Sequence, residues 1–246
     1  MNDVVGIQAV RAVLSESPDR ARCLHIQQGR RDSRINELIG LARGAGVRFQ
    51  TVEGSFFNRR LDEQALAGCQ GVLLECRAMK TYKEADLFEH LATLEGPALL
   101  LVLDGITDPR NLGACLRSAN AAGVDAVILP KRQSAPINEV ALKTAQGGAE
   151  ELFIVEVTNL ARVLKAIKAE GIWVVGTDGD SSATYTQPDM TVPTAVVMGS
   201  EGSGLRRLTA ELCDYLVSIP MSGSVSSLNV SVACGVLLFE AVRQRG

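Results

Sequence analysis

The stretch PALLLVLDGITDPRNLGACLRSA, residues 97–119, decides the fold. Its first half is a near-continuous apolar run closed by Asp104 and Gly105. Such a run suits a strand buried on both faces, which is what a parallel sheet covered by helices requires. Its second half, NLGACLRSA, reads as a helix of small and apolar residues. Working outward, the same alternation repeats. VDAVILP, LFIVEV, IWVVGTD, PTAVVMG and YLVSIPM read as strands. NEVALKTAQGGAEE, NLARVLKAIKAEG, RRLTAELCD and SLNVSVACGVLLFEAVRQR read as the helices between and after them. The expectation is a mainly parallel sheet with helices on both faces.

Upstream lies a smaller α/β unit. GIQAVRAVL, RINELIGLARGAG and LDEQALAG read as helices, and ARCLHIQ, VRFQTV and QGVLLECR as strands. This unit is expected to span residues 1–77. Residues 78–95, richer in charge, read as a linker with some helix, and 96–246 as the second domain.

Composition narrows the function. The chain has 246 residues, is 46% hydrophobic and 22% charged, and carries a net charge of −3. No apolar run is long enough for a membrane span, and the N-terminus lacks a signal-peptide pattern. Six scattered cysteines without a C-x-x-C pair read as reduced thiols of a cytoplasmic protein. Two histidines outside any motif argue against a metal site or a histidine triad. Charge is uneven, however. Residues 1–60 hold ten Arg and no Lys against six acids. Guanidinium binds phosphate bidentately, so this bias suits RNA, and Arg30 and Arg31 are candidate contacts. Residues 91–246 carry 12 basic against 16 acidic side chains.

Ligands of open α/β sheets bind at the carboxyl ends of strands. Three such ends stand out. After the first strand of the second unit, no dinucleotide fingerprint appears. Pro109 precedes Asn111, read as a helix cap, and Arg117 follows six residues later. After a later strand, MGSEGSGL (198–205) brings glycines around Glu201, without the Lys-Ser/Thr of a phosphate-binding loop. Third, IPMSGSVSSLNVSVA (219–233) is rich in hydroxyls and free of charge, with a helix expected from Ser226 or Ser227. Backbone and hydroxyl groups there can bind a neutral ligand without a metal. Taken singly, these stretches also read as a surface arginine, a tight turn and a helix cap.

Together, N-L-G-x-x-x-R at 111–117, MGSEGSGL and IPMSGSVSSLNVSVA resemble the three motifs of the SpoU (TrmH) class of RNA 2′-O-ribose methyltransferases. The resemblance implies an α/β fold with a C-terminal trefoil-knotted, mainly parallel (SPOUT) domain. A small L30/L7Ae-like substrate-binding domain would precede it. It implies a homodimer that binds S-adenosylmethionine (AdoMet) without a metal. Carried over, Gly199, Ile219 and Leu228 line the cofactor pocket, beside Met198, Gly202, Pro220 and Met221. Asn111, Arg117, Glu201, Ser227 and Asn229 fall on active-site positions, with Arg117 also touching RNA. The implied substrate is a guanosine of 23S rRNA in the peptidyl-transferase P loop, met in the large-subunit precursor. Arginine stays protonated, so the residues leave the general base unassigned. A tRNA-modifying SpoU enzyme and a non-enzymatic RNA-binding protein are the alternatives.

Overall fold

The computed structural model describes residues 2–30, 32–77 and 79–246. It divides into two compact units, Met1–Met79 and Lys80–Gly246.

In the first unit, β1 (Asn2–Val5), α1 (Ile7–Glu16), β2 (Ala21–Gln27), α2 (Ser33–Gly44), β3 (Arg48–Val52), α3 (Gly54–Arg60), α4 (Glu63–Gly68) and β4 (Val72–Cys76) follow in order. The sheet runs β1-β4-β2-β3. Its pairs with β4 are antiparallel, and β2 pairs β3 in parallel. One apolar cluster joins α1 and α2 to the sheet through Val10, Leu24, Leu38 and Leu74. A polar network lies on the sheet as well. Arg60 bridges Asp3 (2.6 Å) and Glu75 (2.6 Å). Buried His25 places Nε2 3.0 Å from Glu75 and stacks on Phe56. Burial holds the His25 pKa below its ordinary value, against the opposing pull of Glu75. β1 and α3 were not evident in the sequence.

The second unit holds α5 (Glu84–Leu91), β5 (Leu99–Asp104), α6 (Pro109–Ala121), β6 (Ala126–Pro130), α7 (Glu139–Ala145), β7 (Ile154–Val157), α8 (Leu160–Ala169), β8 (Trp173–Thr177), β9 (Thr194–Gly199), α9 (Arg207–Ala210), β10 (Tyr215–Val217) and α10 (Val230–Arg245). Its six strands run β10-β8-β9-β5-β6-β7, and every pair is parallel. All six residues of β5 and all six of β9 are buried, as the apolar runs require. β9 lies between β5 and β8, so the strand order reverses beside β5. Gly113 lets α6 press on α7: a β-carbon there would lie 2.2 Å from the Ala141 carbonyl oxygen. Helix α10 packs on α6 and β9.

Two expectations change. Of residues 78–95, expected as a linker with some helix, Lys80 onward packs with the second unit and Glu84–Leu91 is helical. Tyr82 forms a parallel bridge to Val155 and stacks on Phe153 at 3.8 Å. Leu87 is fully buried in the second unit's core. Charged residues occupy the outer face of α5, which masked its apolar inner face. The caps also differ. Asp108, not Asn111, caps α6 by accepting from Arg110 N at 2.8 Å, with Pro109 in the first turn. Asn229, not Ser226 or Ser227, caps α10 by accepting from Ser231 N at 2.9 Å. No helix among the described residues is long and apolar enough to cross a membrane.

Candidate functional site

The carboxyl ends of β8, β9 and β10 lie side by side. Gly176 of β8 is level with Val197 of β9 and with Leu216 of β10. From these ends rise the loops that enclose a cleft of about 950 Å³. That volume falls within the range of small-molecule sites.

The β9 loop is a tight hairpin. Ser200 N donates to Gly204 O and Gly204 N to Ser200 O, both at 3.0 Å. Gly202 and Gly204 have φ of 83° and 66°, in the region that favours glycine. Gly199 sits beneath, with the Gly204–Leu205 backbone pressed against its α-carbon. The loop is anchored by Arg206. Its backbone N–H and its Nε both donate to the buried carboxylate of Asp104, at 3.1 and 2.5 Å. Opposite this loop run Ile219, Pro220 and Met221, then Ser226–Val230.

Every residue expected at the cofactor borders the cleft: Met198, Gly199, Gly202, Ile219, Pro220, Met221 and Leu228. Glu201, Ser227 and Asn229 border it too. Asn229 Nδ2 donates to Asn111 Oδ1 at 3.0 Å and to Glu201 Oε1. Val230 N also donates to Glu201 Oε1 at 3.4 Å. Thus Asn111, Glu201 and Asn229, far apart in sequence, meet at one point. Arg117 does not join them. It is exposed, makes no hydrogen bond or ion pair among the described residues, and is not part of the cleft wall. Six residues rotate an α-helix by about 240°, so Arg117 cannot share the Asn111 face.

The sequence reading missed the end of β8. Thr177, Asp178, Gly179 and Asp180 form one wall of the cleft. The same strand-end rule applied to IWVVGTDGD would have found them. Of the expected RNA contacts, Arg30 is engaged internally. It donates to Gln70 O at 2.6 Å and pairs with Asp32 at 2.8 Å. Arg31 lies outside the described residues.

The cleft's chemistry suits a neutral, partly apolar ligand with a polar edge. Leu205, Leu216, Ile219 and Leu228 supply apolar surface; loop backbone and the carboxylates of Asp178 and Asp180, just after β8, supply hydrogen-bonding groups. Among the described residues, no group of three or more His, Cys, Asp or Glu could hold a metal ion.

Residues 98–239 match the model of the SpoU rRNA Methylase family. Residues 4–82 match that for RNA 2′-O ribose methyltransferase substrate binding. The 23S rRNA (guanosine-2′-O-)-methyltransferase RlmB of Escherichia coli is 50% identical, covering 98% of each chain. RlmB of Yersinia pestis is also 50% identical, over 100% of this chain and 99% of its own. Among solved structures, the SpoU methyltransferase AviRb from Streptomyces viridochromogenes, in complex with the cofactor AdoMet, is similar. Its TM-score is 0.65 at 26% identity, covering 99% of this chain and 90% of AviRb. A TrmH/SpoU tRNA modifying enzyme from A. aeolicus has a TM-score of 0.56 at 32% identity, covering 66% of this chain and 84% of its own.

Proposed function

The chain belongs to the SpoU rRNA methylase family, and on that premise we propose that it transfers a methyl group from AdoMet to the ribose 2′-OH of a guanosine in 23S rRNA. The observation that carries this reading is the 50% identity to RlmB across both units. The tRNA alternative rests on neighbours that cover 66% and 61% of the chain. We place the target in the peptidyl-transferase P loop of the large-subunit precursor, as the motif resemblance implies, and the protein in the cytoplasm with it.

AdoMet supplies an electrophilic methyl on a sulfonium. Backbone groups of Met198–Gly202 and Ile219–Met221 would hold its adenosine and methionine parts, with Leu228 packed against them. The remaining task is to bring a 2′-OH in line with that methyl and help it lose a proton. Glu201, fixed by Asn229 and Val230, and Asn111, fixed by Asn229, would orient the ribose beside Ser227. Arg117 would position the hydroxyl and a neighbouring phosphate.

Because Arg117 stands off the cleft of its own chain, we assign it to the cleft of a second copy. Two features support a homodimer built on α6 and α10. Val232 and Phe239, seven residues apart on one face of α10, are 52% and 49% exposed. Arg117 is exposed on α6, the helix that α10 packs against. The trefoil threading of the C-terminal segment belongs to the same proposal. The insertion of β9 between β5 and β8 and the packing of α10 on α6 support it.

The test is methyl transfer in vitro. Purified protein, AdoMet labelled in the methyl group and unmodified 23S rRNA should yield 2′-O-methylguanosine, with tRNA unlabelled. Label in tRNA, or on a base, would overturn the reading.

A further inference from the structure

The unit that holds the cleft is acidic overall, yet its cations are not evenly placed. Four of them are carried by two segments at the carboxyl ends of β6 and β9. Lys131 and Arg132 open the turn after β6, and Arg206 and Arg207 follow the glycine loop after β9. The two segments touch. Arg206 Nη1 donates to Gln133 Oε1 at 3.1 Å while the same guanidinium grips Asp104. A β-carbon built on Gly105 would lie 3.9 Å from both the Gln133 carbonyl oxygen and Ser200 Cβ. Ala135 N donates to Ile106 O at 2.6 Å and ties the turn to the loop after β5. So the turn is tied to the loop after β5 and to the segment that follows the loop carrying Glu201.

The turn is also held in an uncommon shape. Gln133 has φ of 59°, a left-handed conformation that non-glycine residues rarely adopt. Its contact with Arg206 holds it there. Lys131 and Arg132 are exposed, and among the described residues neither side chain has a hydrogen bond or ion pair. Two exposed cations, presented by a turn tied to the segment after the glycine loop, suit contact with a phosphodiester chain. A ribose held at Glu201 and Asn229 brings its flanking phosphates to the rim of the same cleft.

We propose that Lys131 and Arg132 form a phosphodiester-binding site for the RNA strand flanking the methylated nucleotide, locked to the cofactor loop through Gln133 and Arg206. This rests on the methyltransferase reading above and adds to it a site in the catalytic unit, where net charge argues against one. Phosphate contacts set register and orientation without reading sequence. The site would therefore hold the strand in place while the loops select the ribose.

The experiment uses the full chain and a 23S rRNA fragment containing the target. Binding is measured from 50 to 300 mM salt for the wild type, for Lys131→Gln/Arg132→Gln, and for Lys165→Gln, an exposed lysine of α8. The double variant should bind at least about tenfold more weakly at intermediate salt. The slope of log K against log salt should fall in magnitude by about 1.5 to 2, for two lost phosphate contacts. AdoMet affinity and melting temperature should stay at wild-type values. An unchanged slope, or a loss no larger than that of Lys165→Gln, overturns the site. If the wild type itself transfers no methyl group, the functional reading fails instead, and the two failures are distinct.

Discussion

Replacing Gly199 by alanine tests how closely the cleft depends on one missing side chain. The φ of Gly199 is not positive, so alanine can adopt its backbone; the obstacle is space. An alanine β-carbon would lie 2.2 Å from Gly204 C, 2.4 Å from Gly204 O and 2.4 Å from Leu205 N. All three are backbone atoms that cannot rotate away. Ordinary contact starts at 3.4 Å, so the loop must move by about 1.2 Å. That displacement breaks the two Ser200–Gly204 hydrogen bonds. Overpacking of this kind costs about 1–3 kcal/mol, which for a chain of this size lowers the melting temperature by about 2–12 °C. A loop shifted by about 1 Å also presents its backbone groups wrongly to a ligand. Losing two or three such contacts, about 2–3 kcal/mol in all, should raise the AdoMet dissociation constant about 30- to 150-fold. Titration calorimetry with AdoMet and with its demethylated product reads the affinity, and calorimetric melting the stability. Gly96→Ala, where nothing lies within 4 Å of the added carbon, should change neither. Wild-type AdoMet affinity in Gly199→Ala would refute the assignment of this loop to the cofactor.

Other perturbations separate the parts of the account. Arg117→Ala should reduce methyl transfer by at least about 100-fold with AdoMet affinity unchanged, whereas Leu228→Asp should abolish AdoMet binding by placing a charge on an apolar wall; calorimetry and labelled-methyl transfer distinguish them. A fragment of residues 80–246 should fold cooperatively and bind AdoMet, because it retains Tyr82 and Leu87. One of residues 92–246 should melt lower, losing about 1.5–3 kcal/mol for Leu87 alone. Glu240 is held down to about 2 by hydrogen bonding from Arg243, with Gln244 adding to it. Its stabilising share is therefore present above about pH 4.5 and lost as pH falls towards 2. Glu240→Gln should weaken the acid dependence of unfolding in that window, measured by denaturant titration.

The sheet was legible because β5 and β9 must be apolar on both faces, and such runs have few other uses. The cleft was legible because ligands of such sheets gather at strand ends, and glycines and hydroxyls mark two of those ends. The geometry behind Arg117 was not. A six-residue spacing places it about 120° away from Asn111, on another face of the helix. Residues 80–95 were misread because charge on the outer face of α5 outweighed Leu87 in any composition count. The caps were misread because Asn111 and Ser227 are good cap residues by type, while Asp108 and Asn229 stand where the chain turns. Arg30 looked free in sequence; only the structure shows it bound to Gln70 and Asp32.

The central claim is the chemistry at one ribose. It is tested most directly by mapping 2′-O-methylation across 23S rRNA and tRNA from cells with the gene, without it, and with Arg117→Ala restored in its place. The account predicts that one 2′-O-methylguanosine in 23S rRNA is present in the first case and absent in the other two, with tRNA unchanged. Retention of every 23S rRNA ribose methylation in cells lacking the protein, or loss of one from tRNA instead, would contradict it.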